Sequence, residues 1–212
     1  MKKITEQLAQ PTVWEKAQVW EAGWWSKVYQ NTLNEEQKQL VYAEKMGLNF
    51  IPDGHSPYWI DADNKTILDI GSGGASLLLK AKHLKRGLGI DPLYEQYPAW
   101  VKMRYQEVGI SVVSGKAEDL NNYEYPPDEV WIYNCLQHTE NPEQIIKNAK
   151  KVSKIIRIFE WIETEAVAGH PQILLADNLN KWLGGEGRVE YVNKNGATGN
   201  AFYGCFKGDL YE

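Results

Sequence analysis

Beyond Thr66, short apolar runs alternate with stretches whose apolar positions recur at helical spacing. The runs "TILDIG" (66–71), "RGLGID" (86–91), "ISVVSG" (110–115), "EVWIYNCL" (129–136) and "KIIRIFEWI" (154–162) read as strands. The unbroken apolar character of the fourth fits burial on both faces of a parallel sheet. Between them, "ASLLLKAKHL" (75–84), the segment from near Pro98 to Gly109, and residues 174–183 read as helices. Another helix opens on Asn141-Pro142, a cap followed by a first-turn proline. Ile145, Ile146, Ala149 and Val152 form its buried stripe, with lysines at its C-terminal end. "GRVEYVNKN" and "NAFYGCFKG" read as a closing antiparallel pair.

The first sixty residues carry a different pattern. Thr12 and Glu15 have the spacing of a capping box, and Val13, Ala17, Trp20 and Trp24 then follow one helical face. Asn34 with Gln37 can open a second helix over "EEQKQLVYAEKM", which stops at Gly47. "NFIPDGHSPYWIDADN" (49–64) is turn-rich and reads as a connection. Strands alternating with helices predict an α/β fold with a doubly wound, mostly parallel seven-stranded sheet, an antiparallel last strand and a helical N-terminal cap. The cap is expected over residues 1–60, as a lid or an oligomer contact, and the sheet domain over 61–212.

Composition narrows the setting. The 212 residues are 43% hydrophobic, enough for one well-buried domain plus an appendage, and carry a net charge of -5. That acidity argues against a broad nucleic-acid surface. "MKKITEQLAQ" lacks the apolar stretch of a signal peptide, and no window approaches the roughly 18 apolar residues of a membrane span. Cys135 and Cys205 lie in strand-like contexts without metal-ligand spacing and are expected to be buried thiols, which suits a cytoplasmic protein. The four histidines are scattered, so no metal site is expected.

A glycine-rich turn between a strand and the next element lets backbone approach a ligand. "ILDIGSGGASLL" (67–78) supplies Gly71 and Gly73 of a dinucleotide fingerprint but has Ser76 at its third position. Asp69 sits at the strand end, two residues before the first glycine. A carboxylate there repels a pyrophosphate yet can bind an ammonium group directly or through water. Asp91 ends the second strand twenty residues past Gly71, the spacing of an acid that holds ribose hydroxyls. A ligand with a cationic amino-acid end and a nucleoside end fits this set better than a nicotinamide dinucleotide.

"ILDIGSGGAS", "GIDPL", "GKAEDL" and "VWIYNCLQHTENPEQII" together resemble, in order and spacing, the successive motifs of class I S-adenosylmethionine-dependent methyltransferases, over roughly residues 66–207. The resemblance implies S-adenosylmethionine as cofactor and S-adenosylhomocysteine as its product. It places Asp69 at the methionine end, Asp91 at the ribose, and Ala117 with Glu118 around the adenine. Gly71, Ser72, Gly73, Pro92 and Asn134 complete the implied cofactor set. Two positions depart from the pattern: Ala75 replaces the third motif glycine, and Lys116 stands where many members have an acid. "DPLYEQYPAW" and the tryptophan-containing lead-in are also similar to a subgroup acting on small metabolites and glycans.

Methyl transfer needs alignment in a dry pocket, and a base only where the acceptor must lose a proton. His138, after the fourth strand, and His170, in the loop after the fifth, are the expected bases; each could instead anchor its own loop. Trp24, Trp25, Tyr29, Glu160 and Glu163 are candidate acceptor contacts, against a plain reading of the tryptophans as a buried seam and of the glutamates as rim residues. The expected activity is methylation of a small-molecule or glycan acceptor at a hydroxyl or carboxyl oxygen. The alternatives are a noncatalytic S-adenosylmethionine-binding module and, on the N-terminal aromatic face, a homodimer contact.

Overall fold

The computed structural model describes residues 10–52, 59–120 and 126–210. Two helices come first, α1 (Val13–Val28) and α2 (Leu33–Lys45). α1 opens on the expected capping box: Glu15 N–H donates to Thr12 Oγ1, and Thr12 N–H to the Glu15 carboxylate. α2 starts earlier than Asn34, because Asn31 Oδ1 accepts from Leu33 N–H and draws the first turn back to Thr32. It ends at Gly47, whose φ of +70° lets the chain reverse. Residues 53–58 of the expected connection, like residues 1–9, lie outside the described residues.

The remaining elements are β1 (Phe50–Ile51), β2 (Trp59–Asp61), β3 (Thr66–Ile70), β4 (Ala81–Lys82), β5 (Arg86–Ile90), α3 (Ala99–Glu107), β6 (Ile110–Val113), β7 (Glu129–Tyr133), α4 (Pro142–Val152), β8 (Ile155–Trp161), α5 (Ala176–Leu183), β9 (Arg188–Lys194) and β10 (Ala197–Lys207). Seven of the strands form one sheet in the order β6-β5-β3-β7-β8-β10-β9, parallel except for β10, which runs antiparallel to both neighbours. The β9–β10 hairpin turns on Asn195-Gly196, both at positive φ, the pair a type I′ turn requires.

The helix expected over 75–84 does not form. One 3-10 turn at Leu77–Lys80 leads instead into β4, which pairs in parallel with β2. Side chains claim the amides a helix would use. Leu77 N–H donates to Tyr133 Oη and Leu78 N–H to Ser76 Oγ, while Leu77 and Leu78 are both buried. Three successive leucines point around a helix rather than along one face, and here they wedge between the sheet and α2 instead.

Two cores cover the sheet. One joins Trp25 of α1, Tyr42 and Met46 of α2, and Val101 and Tyr105 of α3 to Ile67, Trp131 and Phe159. The other joins Ile145, Ile146 and Ala149 of α4 and Leu179 and Leu183 of α5 to Leu68, Ile70, Val130 and Ile156. α1 is rotated from its expected seam. Val13 is 68% exposed and Trp20 42% exposed, whereas Ala17, Gln18 and Trp25 are buried. The inward face runs Trp14, Gln18, Glu21, Trp25. Cys205, also expected inside, is exposed at the position paired with Arg157 of β8; Cys135 is buried, and both are free thiols. No helix among the described residues is long and apolar enough to cross a membrane.

Candidate functional site

β3 lies between β5 and β7, so the sheet changes winding direction at the β3–β7 boundary, and ligands of open α/β sheets lodge beyond the strand ends at such a point. There a cavity of about 260 Å³ opens between the glycine loop, the turns after β5, β6 and β7, and the α1 helix above. Gly71 and Gly73 hold φ of +69° and +57°. A Cβ on Gly71 would fall 2.5 Å from Cys135 Cβ, and one on Gly73 2.4 Å from the Trp25 ring. The loop is therefore clamped from below by the end of β7 and from above by the cap.

Asp91 organises one side of the cavity. Gly73 N–H donates to one of its carboxylate oxygens (2.9 Å) and Leu93 N–H to the other (2.8 Å), so the carboxylate ties the loop to the turn after β5. Ser72, Asp91 and Pro92 line the cavity, as do Gly115, Lys116, Ala117 and Glu118 of the turn after β6. That turn is held from behind: Asn148 of α4 donates to the carbonyls of Ala117 and Glu118 (3.2 and 2.7 Å). Glu118 Oε1 accepts from the amides of Glu140 and Asn141, and Lys116 pairs with Glu140 across the same gap.

Asp69 sits one layer deeper. It is fully buried, does not line the cavity, and accepts from Ser76 Oγ and Tyr133 Oη through one oxygen; the other, Oδ1, has no partner. Gly73 likewise stands off the cavity wall, because Trp25 covers it. Any contact between Asp69 and a ligand runs through Tyr133, which bonds to it and lines the cavity.

The other end of the cavity brings together residues far apart in sequence. Asn134, at φ +49°, accepts from Gln137 Nε2 at 3.0 Å, and both line the wall. The His138 and His170 rings meet edge to face at 4.6 Å, and Trp20 packs against His170. His138 Nδ1 is 2.7 Å from the Gly169 carbonyl, a bond that needs Nδ1 protonated and leaves Nε2 as the acceptor. Burial holds both imidazoles down to about 4, so they are neutral at pH 7. His138 thus anchors the 164–172 loop and also faces the cavity.

Two expected acceptor contacts do not reach it. Glu160 is fully buried behind β7, where one carboxylate oxygen accepts from the Cys135 and Leu136 amides (3.0 and 3.1 Å). Glu163 lies exposed on the rim and accepts from Asn200 Nδ2, since strand alternation at the end of β8 turns it outward. Trp24 and Trp25 line the cavity; Tyr29 stacks on Trp25 and covers Gly74 from outside. The residues that sequence reasoning missed come mostly from the cap: Gln18 and Glu21 of α1, and Glu35, Lys38 and Gln39 of α2. Their signal was the spacing 14-18-21-25, a helical stripe interrupted by two polar side chains.

Four buried acids lack cations, and burial pushes them up: Asp69, Glu21 and Glu160 to about 7, and Asp91, further raised by Glu21, to about 6. A raised acid stabilises the fold below its unfolded value, and that stabilisation is lost as pH climbs through the folded one. The two lowered histidines act oppositely, costing stability as pH falls below about 6.5. Four acids outweigh two imidazoles, so the thermal midpoint of the ligand-free protein is expected to fall between about pH 5 and pH 7.5. Scanning calorimetry checks this, and a midpoint that rises across the window contradicts it.

Residues 68–155 match the model of a methyltransferase domain. No curated protein matches the chain. Among solved structures, the chain is similar to a complex of the Haloferax volcanii Trm112 methyltransferase activator with its methyltransferase (TM-score 0.59, 12% identity, 95% of this chain and 99% of that one). It is similar to the N-methyltransferase NodS from Bradyrhizobium japonicum, bound to S-adenosylhomocysteine (TM-score 0.51, 16% identity, 68% and 79%). The PH0226 protein of Pyrococcus horikoshii is likewise similar (TM-score 0.51, 12% identity, 68% and 82%). At these identities the likeness lies in the fold, and the fold is that of the class I methyltransferases. The matched stretch, residues 68–155, takes in the glycine loop, the Asp91 turn and the turn after β7.

Proposed function

We propose that this protein binds S-adenosylmethionine under α1 and methylates a small polar acceptor, a free small molecule or a sugar. The observation that carries the reading is Asp91, which holds the glycine loop with both oxygens and still faces the cavity at the sheet's switch point. One orphaned buried atom in the cavity lining, Ser72 Oγ, fits a ligand that carries hydroxyl groups. When bound, S-adenosylmethionine supplies an electrophilic methyl group on a positively charged sulfur.

In this reading Asp91 and Ser72 hold the ribose side, the turn at Lys116–Glu118 flanks the base, and Asn134 meets the methionine portion. Asp69 secures that end from behind through Tyr133. His138, neutral with Nε2 as acceptor, orients an acceptor O–H or N–H, and α1 keeps water out. A carboxylate acceptor would share the cavity with the Glu21 carboxylate and is disfavoured by like charge. A cavity of about 260 Å³ with several tryptophans in its wall suits a small or sugar-like acceptor rather than a nucleic acid.

The test is formation of S-adenosylhomocysteine from S-adenosylmethionine with a panel of small alcohols, amines and amino sugars. Acceptor-dependent product above the no-acceptor blank is expected. Tight cofactor binding with no turnover across the panel instead favours a noncatalytic binding module.

A further inference from the structure

The cavity wall formed by α1, α2 and the turn after β7 carries several hydrogen-bond acceptors without donors. Gln18, Gln39 and Gln137 are 9%, 4% and 1% exposed, line the cavity, and each has a side-chain oxygen without a donor. Gln137 has committed its amide nitrogen to Asn134, so its oxygen is the atom left over. Glu21 adds a carboxylate from α1, its side chain 19% exposed, between the Trp25 indole and His138 Nδ1 at 3.8 Å.

The cations in this wall are already spoken for. Lys38 is bound to Glu35 at 2.7 Å, and Lys116 to Glu140 at 2.9 Å. Each also lies near a tryptophan face, Lys116 3.7 Å from the centre of Trp14 and Lys38 5.7 Å from that of Trp24, so these rings already receive positive charge. Of the acids on the wall, Glu35 is paired, Asp91 is bonded to two amides, and Glu118 to two more. The Glu21 carboxylate is left without a lysine, arginine or backbone amide.

We infer that this half of the cavity is a binding site for a primary amine in its ammonium form, with Glu21 as counter-ion and acceptor of one ammonium proton. The inference rests on the reading of the other half as the S-adenosylmethionine site, and it names the class of acceptor. The chemistry follows from counting donors. An ammonium offers three N–H groups and a full positive charge to a wall of carbonyl oxygens and one carboxylate; a hydroxyl offers one donor and no charge. Transfer of one proton to Glu21 leaves a neutral amine whose nitrogen carries a free electron pair, and the proton departs to solvent when the site empties. Aromatic walls take the carbon skeleton and, through their faces, residual positive charge.

The test uses the full chain saturated with S-adenosylhomocysteine and three probes of one shape: benzylamine, benzyl alcohol and benzoate. Tryptophan fluorescence reads their binding at pH 7.5, and calorimetry with S-adenosylhomocysteine checks the cofactor side separately. Benzylamine is expected to bind at least about tenfold more tightly than benzyl alcohol, the worth of one charge-assisted bond. Glu21→Gln, which keeps the shape, is expected to erase most of that preference while S-adenosylhomocysteine still binds. Equal binding of amine and alcohol, a preference for benzoate, or an unchanged preference in Glu21→Gln overturns the amine site and leaves the cofactor reading intact. Failure of the wild type to bind S-adenosylhomocysteine overturns the cofactor reading, and the inference with it.

Discussion

Glu160→Ala is expected to destabilise the protein by about 2–5 kcal/mol, because two buried amides, those of Cys135 and Leu136, lose their only acceptor together. An unsatisfied buried N–H costs about 1–3 kcal/mol, and both residues are buried. Glu160→Gln separates the bond from the charge. The amide oxygen still accepts both hydrogens, and burial already favours the uncharged acid near neutral pH, so the loss is expected to stay below about 1 kcal/mol. Urea denaturation of both variants decides the matter; an alanine variant as stable as the glutamine one removes Glu160 from this role. The turn it holds carries Gln137 and His138, so the alanine variant should also lose turnover beyond what its lower stability explains.

The second large effect is on ligand binding. Asp91→Ala removes the acceptor for Gly73 and Leu93 together with the carboxylate that faces the cavity, so both the loop and the ligand lose a partner. A charged hydrogen bond is worth about 1.5–3 kcal/mol, and with the loop released as well the dissociation constant for S-adenosylhomocysteine should rise about a hundredfold or more. Asp91→Asn keeps one oxygen to bond the loop and loses the charge, and about a tenfold rise is expected. Calorimetric titration of the two variants beside the wild type measures both. A wild-type constant in Asp91→Ala places the nucleoside elsewhere on the molecule.

Much of this architecture could be read from the chain because its strands are short apolar runs separated by strong punctuation. The Asn141 cap and the Asp91 strand end act locally, and each lies where the pattern put it. The failures came where tertiary contacts outweighed local preference. Residues 75–84 have a helical composition, yet Tyr133 and Ser76 take the amides of Leu77 and Leu78, and β2 offers a partner to Ala81 and Lys82. In α1 the error was one of phase. Apolar periodicity favours the face through Val13 and Trp20, but the inward face carries Gln18 and Glu21, polar residues that face a cavity instead of a core. A hydrophobic count penalises such a face.

The same logic explains the mixed outcome for the candidate site. Asp91, Ser72, Asn134, His138 and His170 reach the cavity because strand ends and the turns that follow them place side chains there whatever the details of packing. Glu160 and Glu163 lie where only the twist and coverage of β8 determine the direction they face, and that depends on β10 and on the loop from residue 164 to 172. The acceptors Gln18, Glu21 and Gln39 come from helices whose seating over the sheet no local signal specifies.

The central claim is that the cavity between the glycine loop and α1 is the S-adenosylmethionine site. It is tested most directly by calorimetric titration of the wild-type protein with S-adenosylhomocysteine at pH 7.5. A single site with a dissociation constant on the order of micromolar is predicted, about -8 kcal/mol of binding free energy. Absence of heat and of any thermal stabilisation, with the protein folded and the ligand at millimolar concentration, contradicts it.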